Sequence, residues 1–149
     1  MELPDFLVKA KTHTYASQGE AKERTLDDGA KEFVYQEGDW KYRDRYFGSE
    51  AFTGEEIVTK DNHPVWTMNY YGRVISKSIR SGEMSDFLKE SLLQVKPERP
   101  FRGPSEYQRN EWKYKDNSAG TIEDFHGEEE IFFNKTKVYK LSYHGGLIM

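Results

Sequence analysis

The feature that most constrains this 149-residue chain is a second, altered copy of its own sequence. Residues 35–44 read YQEGDWKYRD and residues 107–116 read YQRNEWKYKD, so Tyr, Gln, Trp, Lys, Tyr and Asp coincide at an offset of 72. At an offset of 73, Phe52-x-Gly54-Glu55-Glu56 faces Phe125-x-Gly127-Glu128-Glu129. At the same offset Val65, Trp66, Met68, Tyr70 and Gly72 face Val138, Tyr139, Leu141, Tyr143 and Gly145. Three colinear matches with one single-residue slip read as an internal duplication.

Periodicity gives each copy the same order of elements. Leu3, Phe6, Leu7 and Ala10 form one face of a helix. Leu88, Leu92 and Val95 form a second stripe, with Ser85 as its N-cap and Pro97 as its stop. The period then changes to two: Trp40, Tyr42 and Asp44 alternate with Lys41, Arg43 and Arg45. Residues 52–59 and 64–71 read as strands joined by Lys60-Asp61-Asn62-His63, with counterparts at 125–133 and 137–144 joined by Asn134-Lys135. The polar stretch 11–31 reads as a mobile surface loop, and the proline-bearing stretch 97–104 as a stiff connector. The expected fold is α+β within one domain, 1–149. It is an internal duplication of a helix plus a three- or four-strand antiparallel meander, repeat 1 at about 1–79 and repeat 2 at about 83–149. The two copies are expected to pack about a pseudo-two-fold axis, because neither alone has enough aliphatic mass for a core.

Composition supplies that core in another form. Charged residues make up 32% of the chain, but 9 Phe, 10 Tyr and 3 Trp are too many rings for a disordered one. The core is therefore expected to be built from aromatics. With no Cys, disulfides and thiolate-ligated metals are excluded. There is no apolar run long enough for a membrane helix and no signal-like start, so a cytoplasmic protein without membrane contact is expected. A net charge of −4 argues against direct nucleic-acid binding. His13, His63, His126 and His144 lack metal-ligand spacing, and no phosphate loop or dinucleotide fingerprint occurs, so neither metal nor cofactor is expected.

Candidate site residues come from strand faces. Asp44 and Asp116 each end a Trp-x-Tyr-x-Asp run, which points a carboxylate where the rings point. Such a group reads either as a ligand anchor or acid/base, or as a strand-end Asp bonded to a turn or an Arg. Glu56 can reach Asp44 from the neighbouring strand. A cleft between the copies would be walled by Trp40, Tyr42, Trp66 and Tyr71, with Trp112 as the second copy's equivalent. Asp44, Glu56 and Asn69 would supply its directional polar contacts, favouring a cationic or amine-bearing ligand. Tyr71 stands opposite His144 in the repeat and is among the rings without an aromatic counterpart.

The runs YRDRYFG (42–48), FTGEE (52–56), PVWTMNYYG (64–72), FRGPSEY (101–107) and VYKLSYHGG (138–146) together resemble an uncharacterised bacterial and archaeal domain family. Members of that family occur alone or fused behind a helix-turn-helix transcriptional regulator. The resemblance implies membership and an effector-sensing position in the fused relatives, and carries over no site residues. A small-molecule binding or sensing module is the leading expectation. The alternatives are an acid/base enzyme using Asp44 or Glu56, and an interaction domain forming a homodimer through the apolar ends at 73–75 and 145–149.

Overall fold

The computed structural model of the protein describes residues 1–17, 22–76, 79 and 81–149. Strand alternation and short turns determine its main feature. Helix α1 (Leu3–Thr12) is followed by β1 (Arg24–Thr25), β2 (Lys31–Glu37), β3 (Trp40–Gly48), β4 (Ala51–Lys60) and β5 (His63–Val74). Helix α2 (Ser81–Leu92) then precedes β6 (Glu106–Arg109), β7 (Trp112–Thr121), β8 (Asp124–Phe133) and β9 (Thr136–Leu147). Among the described residues these nine strands form a single antiparallel sheet in the order β1-β2-β3-β4-β5-β9-β8-β7-β6. Within β2 to β5 and within β6 to β9, consecutive strands are neighbours because two-residue turns join them. Asp61-Asn62 and Asn134-Lys135 all take positive φ, the geometry that matches strand twist in tight hairpins.

This architecture corrects the expected one. Two α+β copies packed about an axis with a cleft between them are not what the chain forms; it forms one nine-stranded sheet with two short helices. The overturning observation is the β5–β9 ladder, in which Trp66 to Val74 pair with Leu147 to Tyr139, Tyr70 opposite Tyr143. Each strand would otherwise present unpaired N–H and C=O groups along its edge, and joining them satisfies both rows. The same ladder uses the apolar ends that suggested a homodimer: Ile75 N–H donates to Val138 O and Ile148 N–H to Val65 O.

Three local expectations also change. Ser85 lies inside α2, which starts at Ser81 and ends at Leu92, well before Pro97. The stretch from residue 11 is not a surface loop at its start: Lys11, Thr14, Ala16 and Ser17 are buried under the sheet's covered face. Residues 18–21 of that stretch lie outside the described residues.

The core occupies one face of the sheet. Tyr42, Val58, Trp66, Met68, Tyr114, Ile131, Tyr139, Leu141 and Tyr143 meet Phe6, Leu7 and Ala10 of α1, Phe87 and Leu92 of α2, and Phe101 between α2 and β6. Rings pack on rings, with Phe101 and Phe125 centroids 4.3 Å apart and Trp66 and Phe125 5.7 Å apart. The opposite face, carrying Lys41, Arg43, Tyr71, Lys140, Ser142 and His144, is exposed. Alternation along the strands divides the two sets.

Two glycines let tyrosines lie flat across this core. A Cβ on Gly54 would strike the Tyr70 ring and one on Gly127 the Tyr143 ring, with Asn117 O a further 2.8 Å obstacle at Gly127. Gly127→Ala is therefore expected to cost about 1–3 kcal/mol of stability by overpacking, seen as a lower urea midpoint. Gly82→Ala, where an added Cβ meets nothing within 4 Å, should leave that midpoint unchanged or raise it.

Candidate functional site

The alternation that sends Tyr42 inward also sends Asp44 inward, and Asp44 is 3% exposed. Directly across the β3–β4 ladder stands Glu56, fully buried. Two adjacent carboxylates without water need partners. Tyr70 donates its hydroxyl to Asp44 Oδ1 at 2.6 Å. Lys11 Nζ donates to Glu56 Oε1 at 2.5 Å and to the Phe101 carbonyl at 2.7 Å. The ammonium also sits 5.7–5.9 Å from the ring centres of Trp66, Tyr15 and Tyr42. Burial lowers the Lys11 pKa, and the neighbouring Glu56 opposes that shift.

The other half of the sheet carries a parallel arrangement with more partners. Asp116 faces Glu129 across β7–β8. Tyr143 donates to Asp116 Oδ1 at 2.7 Å. Arg102 forks onto Glu129, Nε to Oε2 at 3.0 Å and Nη2 to Oε1 at 2.9 Å. Tyr114 and Tyr139 add hydroxyls to the same carboxylate at 2.6 and 2.8 Å. Arg99 reaches Asp116 Oδ1 at 3.2 Å, the Asp116 carbonyl at 2.7 Å, Ser118 Oγ at 3.1 Å and the Gly103 carbonyl at 3.0 Å. The stretch read as a stiff connector thus supplies two guanidiniums to buried acids.

The first arrangement is less complete. Among the described residues no cation pairs with Asp44, and buried Glu56 Oε2, Tyr42 OH and Tyr15 OH have no hydrogen-bond partner. Burial first, then Glu56, pushes the Asp44 pKa up to about 7, against the Tyr70 hydrogen bond and the more distant Lys11 and Arg102. Asp116 rises to about 6 by burial and Glu129, with Arg99 opposing. The Tyr15, Tyr42 and Tyr70 hydroxyls are pushed well up by burial and nearby carboxylates, so they remain donors.

Asp44 also lines a cavity of about 310 Å³. Tyr15, Tyr70 and Arg102 share its inner end, Phe33, Tyr46, Phe52, Leu88 and Leu92 give it apolar walls, and Glu23, Lys31 and Ser49 stand on its exposed side. Tyr46 is held by a hydroxyl bond to Glu23. The cavity lies between the first half of the sheet and α2.

Of the residues chosen from sequence, Tyr42, Asp44, Glu56 and Trp66 meet on the covered face around Lys11. Trp40 lies farther along that face, stacked on Phe6 at 5.3 Å. Trp112 packs in the other half against Phe87 and Phe133 at 5.5 and 4.7 Å. Asn69 and Tyr71 are on the opposite, open face, Tyr71 54% exposed, so the sheet separates them from Asp44. Lys11, Tyr15, Tyr70, Arg99 and Arg102 were not in the chosen set. Lys11 has a sequence signal, since it follows Leu7 by one helical turn and continues the apolar stripe. Arg99 and Arg102 have none, because only the path of the chain aims them.

Residues 44–148 match the model of a domain of unknown function, DUF5680. The chain belongs to the DUF5680 family. No curated protein and no solved structure matches it. The DUF5680 segment begins at Asp44 and takes in Glu56, Tyr70, Arg102, Asp116 and Glu129, while Lys11 and Tyr15 precede it. Among the described residues no three His, Cys, Asp or Glu side chains could hold a metal ion, and no helix is long and apolar enough to cross a membrane.

Two outcomes test this electrostatic picture. Lys11→Met should cost about 3–5 kcal/mol, since it strands the Glu56 charge, and Lys11→Met with Glu56→Leu should recover much of that in urea unfolding. For Asp44 the folded state keeps a proton up to about pH 7 that the unfolded state releases near 3.8. More protons are bound folded than unfolded in that window, so this group's contribution to stability falls as pH rises through it. Asp44→Asn should remove that fall, its stability relative to the parent protein rising from pH 4 to 7 and levelling above.

Proposed function

We propose that this DUF5680 protein binds a small organic molecule in the Asp44 cavity, and that the ligand brings a positive charge to Asp44. The observation that carries the reading is a buried carboxylate that, among the described residues, has one side-chain hydrogen bond and no paired cation, placed on the wall of a cavity lined by rings. Aromatic faces attract cations and apolar walls hold the rest of a ligand. Neighbouring Arg102 does not cancel this, because its charge is matched by two bonds to Glu129. An effector-sensing role, which the resemblance to domains fused behind transcriptional regulators implies, fits a binding site of this kind.

Acid–base catalysis by Asp44 is the second reading, favoured by a carboxyl that keeps its proton close to neutral pH. It differs in expecting chemical turnover of whatever binds.

A thermal-shift and calorimetric panel of amines, guanidines, neutral aromatics and organic anions tests the binding. At least one cation should raise the melting temperature, and Leu88→Trp, which fills the cavity wall, should abolish the rise. No stabilisation from any class would sink the proposal. Because a cation and a proton compete for Asp44, affinity should weaken about tenfold for each pH unit below 7 and level off above it. An affinity independent of pH between 5 and 8 would show that the charge is not read by Asp44.

A further inference from the structure

The two carboxylate positions of the sheet can be compared partner by partner. Asp44 and Asp116 each oppose a buried glutamate and each take a tyrosine hydroxyl from the next strand but one. In both places the glutamate has its own cation, Lys11 for Glu56 and Arg102 for Glu129. The difference is at the aspartates. Asp116 has Arg99, and Asp44 has no counterpart among the described residues. Among the described residues the network therefore holds four buried carboxyls, Asp44, Glu56, Asp116 and Glu129, against three cations, Lys11, Arg102 and the partly exposed Arg99. The position that lacks a cation also opens onto a cavity.

Resting on the binding reading above, we propose that the ligand's charged group is a guanidinium or amidinium, seated at Asp44 as Arg99 is seated at Asp116. Three observations favour a planar fork over an ammonium. The protein's own solution at the equivalent aspartate is a guanidinium whose Nη1 and Nη2 reach four oxygens at 2.7–3.2 Å from two nitrogens held in one plane, a spread that a single ammonium nitrogen does not have. The place of Ser118, which Arg99 bonds, is taken on β3 by Tyr46, a ring in the cavity wall. A guanidinium stacks on such rings and is weakly hydrated, so entering an apolar-walled cavity costs it less than it costs an ammonium. Arg102 already lies this way, its guanidinium carbon 5.4 Å and 5.7 Å from the Tyr15 and Tyr70 ring centres. Finally, Tyr15 Oη is buried, without a hydrogen-bond partner among the described residues, and on the cavity lining, where it can accept a second N–H from the same group.

The test uses three probes with the same propyl chain, n-propylguanidinium, n-propylammonium and n-propylurea, titrated calorimetrically into the full chain at pH 8. The guanidinium should bind about tenfold tighter than the ammonium, with the neutral urea weakest. Asp44→Asn should erase the guanidinium's advantage over the urea, with circular dichroism confirming the fold. Titration of the unmodified protein at pH 7 in two buffers of different ionisation enthalpy gives a check that needs no variant: guanidinium binding should release protons. If the urea or the ammonium binds as tightly as the guanidinium, and Leu88→Trp blocks it, the guanidinium assignment is overturned while the cavity remains a binding site. If none of the three probes binds, the assignment also falls, and the wider panel decides the binding reading separately.

Discussion

Everything on the covered face depends on carboxylates that the strand alternation forces out of water. An ionised acid inside a protein is costly unless a cation or several donors meet it. Here the cations come from outside the sheet, Lys11 from the end of α1 and Arg99 and Arg102 from the stretch between α2 and β6. The acids therefore determine where the covering layer can sit. Apolar packing tolerates sliding, whereas a guanidinium forked on Glu129 allows one placement. The ion pairs are weak evidence of added stability and strong evidence of fixed position.

The rings make this arrangement compatible with a dry core. Tyr42, Tyr114, Tyr139 and Tyr143 are almost wholly buried and take the space that leucine and isoleucine take elsewhere. Each also carries a hydroxyl, and in the second half those hydroxyls converge on Glu129 and Asp116. A tyrosine-built core can therefore solvate an acid from within, which an aliphatic one cannot. The polar average of the composition and the depth of the core are two views of the same side chains.

What the sequence discloses follows from which forces are local. The hairpins at 61–62 and 134–135, the inward direction of Asp44 and the Asp44–Glu56 pairing are visible because alternation and turn residues encode them. The joining of β5 to β9 is not, since any exposed strand edge could have accepted any other. Asn69 and Tyr71 were placed beside Asp44 by chemical type although their parity puts them on the opposite face from Tyr70. Lys11 was hidden by its charge: a lysine at the end of an amphipathic helix reads as solvated until a buried acid is known to await it. Arg99 and Arg102 depend on a chain path through Pro100 and Gly103 that no periodicity describes.

The β5–β9 pairing at the middle of the sheet has a consequence for how the chain reaches its shape. Tyr70 and Tyr143 are neighbours across that ladder but distant along the chain, while every other ladder joins consecutive strands. Hairpins close in microseconds, whereas a contact between remote segments must first overcome the entropy of the loop between them. The meanders on either side can therefore organise before the centre does. During that interval β5 and β9 both display long unpaired edges, the kind that adheres to other chains. Once they meet, the strands left at the borders are β1 and β6, of only two and four residues. Closing the β5–β9 ladder thus takes the edges of two twelve-residue strands out of reach of other chains.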